Sequence, residues 1–62
     1  LKSQVGLTES VLIERLRKGG YYEGYTKNYT PVWVQSDDNL CGQLRTVKIT
    51  DCNEEYCLGE LN

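Results

Sequence analysis

The chain has 62 residues, a formal net charge of −2 and an apolar fraction of 39%. That length allows one domain, with no room for a second core, a large substrate cleft and a cofactor site together. The apolar content argues against disorder, no run is long enough to span a membrane, and the mild acidity counts against nonspecific nucleic-acid binding. The chain opens on Leu1, contains no Met and shows no signal peptide, so it reads as a fragment of a longer protein. Cys41, Cys52 and Cys57 are odd in number, form no C-x-x-C pair, and have no His to join them. They are expected to be free thiols packed as small hydrophobes in a reducing cytosol, with no metal bound.

Residues 1–7 read as a linker joining a missing domain, and 8–62 as the folded unit. "ESVLIERL", residues 9–16, places Val11 and Ile13 on one phase. A helix competes here, but the segment is short and ends on Gly19-Gly20, a strong turn signal, so a strand is expected. A second strand follows over 21–26. "KNYT" turns the chain, with Asn28 expected in the left-handed region. Pro31 has no N–H to donate and suits the first residue of the third strand, which continues through "VWVQ". "SDDN", 36–39, is a polar loop. A long fourth strand is expected over 40–51, with a bend or bulge where its apolar phase switches between Leu44 and Val47. "CNEE" forms the last turn and 56–61 the fifth strand. Five short strands without a helix predict an all-β fold, a small five-stranded antiparallel barrel.

The 21–35 hairpin is expected to pair Thr26 with Val32, Tyr25 with Trp33 and Gly24 with Val34. Gly24, Thr26, Val32 and Val34 then face inward, and the bare Gly24 lets Val34 or a neighbouring strand come close. Tyr25 and Trp33 become an exposed cross-strand pair, braced for stability or open to a ligand.

"ESVLIE", "EGYTKNYTPVWV", "LCGQLRTVKITD" and "YCLGEL" together resemble a TRAM domain, the small barrel that ends many radical-SAM methylthiotransferases. Gly24-Tyr25-Thr26-Lys27-Asn28, Val47-Lys48-Ile49-Thr50 and Leu58-Gly59-Glu60 supply the G-x-T-x-N, V-x-I-T and L-x-G-E elements in order. "GYTKNY" and the Tyr before "CLGE" resemble the MtaB branch of the MiaB/RimO family, which methylthiolates threonylcarbamoyl-adenosine beside the tRNA anticodon. A sister branch modifies an aspartate of a ribosomal protein. The resemblance implies an OB-like, substrate-binding barrel. Catalysis, S-adenosylmethionine and two iron–sulfur clusters would belong to upstream domains, and no C-x3-C-x2-C triplet occurs here.

No nucleophile–base set or phosphate-cradling loop is present, so the fragment itself is expected to be noncatalytic. RNA binding needs flat faces for bases and cations for phosphates. Tyr25, Tyr29 and Trp33 are the candidate faces, Lys27, Arg45 and Lys48 the candidate cations, and Asn28 a polar contact. Arg45 and Lys48 have opposite parity and share a face only if a bulge intervenes. Tyr21, Tyr22 and Tyr56 are expected to pack. The expected partners are a tRNA anticodon stem-loop and the upstream catalytic domains of the same chain, in a cytoplasmic monomer with no membrane contact. The rival reading is a protein-docking module, for a ribosomal protein or those upstream domains. A secreted module is disfavoured, because Pro31 directly follows the "NYT" glycosylation signal.

Overall fold

The computed structural model describes residues 5–62, so the first four residues of the expected 1–7 join lie outside the described residues. The strands are β1 (Thr8–Leu16), β2 (Tyr21–Tyr25), β3 (Pro31–Gln35), β4 (Leu44–Cys52) and β5 (Cys57–Leu61), with a short 3-10 turn at Lys18–Gly20. They close into a barrel in the order β1-β2-β3-β5-β4, with β4 also paired to β1. The all-β, OB-like expectation holds. The antiparallel expectation fails at one seam, because β3 and β5 run parallel. Geometry makes one such seam unavoidable: strands in a closed ring of five cannot all alternate direction.

Strand alternation builds the core. Val11 and Ile13 from β1, Val32 and Val34 from β3, and Val47 and Ile49 from β4 are fully buried, joined by Leu40 and Cys57. Each such side chain contributes roughly 1.5–3 kcal/mol of burial. Gly24 faces the same interior, and the backbone of β1 at Leu12 and Ile13 lies directly against it. That is the close approach of a neighbouring strand that its missing side chain allows.

The hairpin register differs from expectation by two residues. Tyr25 pairs with Pro31, Gly24 with Val32, Glu23 with Trp33 and Tyr22 with Val34. The cause is a shorter loop: the Thr26 N–H donates to the Thr30 carbonyl at 3.1 Å, closing the turn over residues 27–29. A shift of two preserves the facing of every side chain. It does separate Tyr25 from Trp33, so the proposed brace between them is absent.

The fourth strand begins at Leu44, not Leu40. Residues 40–43 form a turn instead, with Gly42 at φ 80° and the Gln43 N–H donating to the Leu40 carbonyl at 3.0 Å. The expected phase switch is also displaced. Leu44 simply faces outward, and the irregularity in β4 lies between Ile49 and Asp51, while β1 has another between Ile13 and Arg15. The cysteines depart from expectation as well. Cys52 and Cys57 stand opposite each other in the β4–β5 register and form a disulfide across the last turn, and Cys41 is exposed rather than packed. The linear spacing conceals that pairing, because only the hairpin brings the two together.

Candidate nucleic-acid interface

The turn after β2 is built around Thr26. Its Oγ1 accepts the N–H groups of Asn28 and Thr30, each at 3.3 Å, and its carbonyl accepts the Tyr29 N–H at 2.9 Å. A loop of this length takes a type I turn followed by one left-handed residue. That residue is Tyr29, at φ 63°, and not Asn28. A side chain in this region costs about 1–2 kcal/mol, and Tyr29 recovers little by burial because it is 83% exposed. Tyr29→Gly should therefore stabilise the domain by about 1 kcal/mol, read as a rise of roughly 4–8 °C in thermal midpoint. An unchanged or lower midpoint would show that Tyr29 repays its backbone cost through contacts.

Tyr25, Lys27 and Tyr29 line one open groove with Leu12, Leu44 and Ser10. The register explains the gathering: Leu12 stands opposite Tyr25 on one side and Leu44 on the other, all on the outward phase. Lys48 faces outward further along β4, between Thr8 of β1 and Glu60 of β5. Neither Lys27 nor Lys48 forms an ion pair among the described residues. Asn28 sits exposed at the hairpin tip.

Two sequence candidates fall elsewhere. Arg45 shares the inward phase of Val47, is half-buried, and donates from Nη1 to Gln43 Oε1 at 2.9 Å. The β4 irregularity lies beyond Lys48, so it does not bring the two cations onto one face. Trp33 faces outward on β3 but is enclosed. Tyr56 stacks on it at 4.5 Å with 15° between the planes, the Arg17 guanidinium lies over it at 5.1 Å, and Tyr21 tilts against it at 6.2 Å. Tyr21 and Tyr56 thus pack as expected, and Tyr22 joins the core.

This cluster is anchored locally. The Glu23 carboxylate is buried, and it accepts Arg15 Nε at 2.9 Å and Arg17 Nη1 at 3.5 Å. The hydrogen bond to Glu23, aided by its charge, raises the Arg15 pKa above its ordinary value. Asn53 Oδ1 accepts the N–H groups of Glu55 and Tyr56 at 2.7 and 2.8 Å, which fixes the turn that delivers Tyr56.

Leu12 and Leu44 were not singled out by residue type. Their signal is present in the parity: placing Val11 and Ile13 inward leaves Leu12 outward. Among the described residues no group of three or more His, Cys, Asp or Glu could hold a metal ion. An iron–sulfur cluster takes several thiolates. Cys41 is the one free thiol and the chain has no His, so these residues do not fit such a cluster.

The TRAM domain family model matches residues 2–61. A tRNA-2-methylthio-N(6)-dimethylallyladenosine synthase from Aliarcobacter butzleri (strain RM4018) is 39% identical over 57 residues, covering 92% of this chain and 13% of that protein. The synthase of the same name from Campylobacter jejuni subsp. jejuni serotype O:2 (strain ATCC 700819 / NCTC 11168) is 38% identical over 61 residues, covering 98% of this chain and 14% of that protein. The chain thus spans 13–14% of the length of these curated relatives. The chain belongs to the TRAM domain family.

Proposed function

We propose that the chain is the tRNA-binding module of a radical-SAM tRNA methylthiotransferase and grips the anticodon stem-loop. Residues 1–7 join the 8–62 barrel to upstream catalytic domains, which carry S-adenosylmethionine and two iron–sulfur clusters. The module works as a monomeric unit in the cytoplasm. The relatives are named for dimethylallyladenosine, so the substrate proposed here is an N6-modified adenosine of tRNA, which the parent enzyme converts to its 2-methylthio form.

The observation that carries this reading is the hairpin edge, in a chain of this family. Tyr29 is held exposed at a backbone cost, next to an unpaired Lys27, with Tyr25 below. Strained residues of this kind cluster at functional sites. An aromatic face stacks a base regardless of its identity, and the lysines meet phosphates.

Titration of the chain with an anticodon stem-loop at several salt concentrations tests the reading. Each phosphate neutralised lowers log K by about 0.7 per tenfold increase in salt for single strands. Lys27 and Lys48 together should give a slope of about −1.4. Tyr29→Gly should bind roughly tenfold more weakly, the loss of one stacked base, while gaining stability. Absence of binding at low salt, or a flat salt dependence, would contradict the proposal.

A further inference from the structure

The outward faces of β1 and β4 are mostly polar, with Thr8, Ser10, Thr46 and Lys48 exposed. The exception is local. Leu12 is 47% exposed and Leu44 67%, and they are register partners, with Tyr25 completing the row across β2. The open groove above this apolar floor has a volume of about 390 Å³, near the small end of ligand pockets. That size suits one planar ring system better than a helix or a folded surface. The hairpin turn supplies one wall through Lys27 and Tyr29, and Glu14 borders the floor from β1.

We propose that this groove takes one unstacked nucleobase of single-stranded RNA, laid on Leu12 and Leu44 beside Tyr25. Glu14 accepts hydrogen bonds from the amino-bearing edge of the base. The inference rests on the RNA-binding reading above and adds a binding site and a base preference to it. A carboxylate is acceptor-only, so it favours bases that present an amino group. Cytosine offers N4 in this way. Uracil turns carbonyl oxygens toward the carboxylate along most of its edge and is disfavoured. Lys27 also borders a shallow recess with Thr8, Glu9 and Ser10. That recess continues the track toward Lys48, which lies opposite Thr8. Thr8 is about 13 Å from Leu12 along the strand, from the rise per residue. The track therefore carries one cation beside the groove and one at its far end, placed for the phosphates that flank a docked base.

The test uses octamers of cytidine and of uridine as probes, with the anticodon stem-loop as reference. Leu12→Ser and Leu44→Ser alter outward side chains, and their melting curves report whether the barrel is intact. The double variant should bind oligocytidine about tenfold more weakly than the unsubstituted chain. Glu14→Gln should reduce the preference for oligocytidine over oligouridine several-fold, through weaker cytidine binding with uridine binding kept or improved. Lys48→Gln should weaken both probes alike. If the unsubstituted chain binds the stem-loop and both octamers, and the folded leucine variants bind equally well, the groove is not a base site and faces protein instead; the RNA-binding reading survives. If the unsubstituted chain binds no RNA at all, both fail.

Discussion

Gly24→Ala is expected to remove most of the domain's stability. A Cβ at this position would collide with the Leu12 carbonyl, and would lie 2.7 Å from Val11 Cγ1 and 2.9 Å from the Ile13 Cα. Only one of these is a side-chain atom able to rotate away. The other two belong to the backbone of β1, which is held in the barrel by pairing to β2 on one side and β4 on the other. Relief therefore requires the strands to part. The alanine would gain about 0.4–1 kcal/mol by restricting the unfolded chain, far less than overpacking at fixed backbone costs. The net loss should be about 3 kcal/mol. A core in a chain this small rarely supplies more than about 3–5 kcal/mol of net stability. Urea titration followed by tyrosine and tryptophan fluorescence would measure the change. A loss below about 1 kcal/mol would mean that β1 and β2 can separate without disturbing the barrel.

Trp33→Ala is expected to cost about 2–3 kcal/mol, below the 3–5 kcal/mol typical of a fully buried tryptophan because this one is only half-buried. Arg17 reaches it from just past the end of β1, across β2, and Tyr56 from the turn before β5, so the ring ties together elements on both sides of β3. It also stands over the parallel β3–β5 seam, where Trp33 is the register partner of Leu58. Removing the ring strands Tyr56, Tyr21 and Arg17 together. A fall of roughly 15–20 °C in thermal midpoint follows from the domain's size. Trp33 Nε1 is buried with no hydrogen-bond partner, so Trp33→Phe gives up no hydrogen bond and should retain most of the lost stability. RNA affinity of the molecules that remain folded should be unchanged in both variants. A Trp33→Ala domain that melts normally but loses RNA would return Trp33 to the binding face.

The facing of side chains was legible in the sequence, because alternation needs no knowledge of partners. Val11, Ile13, Val32 and Val34 face inward, as their spacing predicts; Val47 and Ile49 are buried too, but the phase switch expected just before them lies further along β4. The candidate hairpin edge was legible for the same reason. Register was harder to read, since it depends on where the turn closes, and the Thr26–Thr30 pair closes it earlier than the pattern suggests. Partners distant in sequence were not legible. Trp33 meets residues 17 and 56 only once the barrel has formed, while the Cys52–Cys57 pairing is local but hidden by the register of the last hairpin. The exposed leucines illustrate the same limit. Each is unremarkable alone, and only the β1–β4 register joins them into a floor.

The most direct test of RNA recognition through the hairpin edge is amide chemical-shift mapping of the labelled chain, with an anticodon stem-loop added at low and moderate salt. The account predicts shifts at residues 10–14, 25–29 and 44–48 that fade as salt rises, with residues 17, 33 and 56 little affected. Shifts centred on 33 and 56 with the groove silent, or no shifts even at low salt, would contradict it.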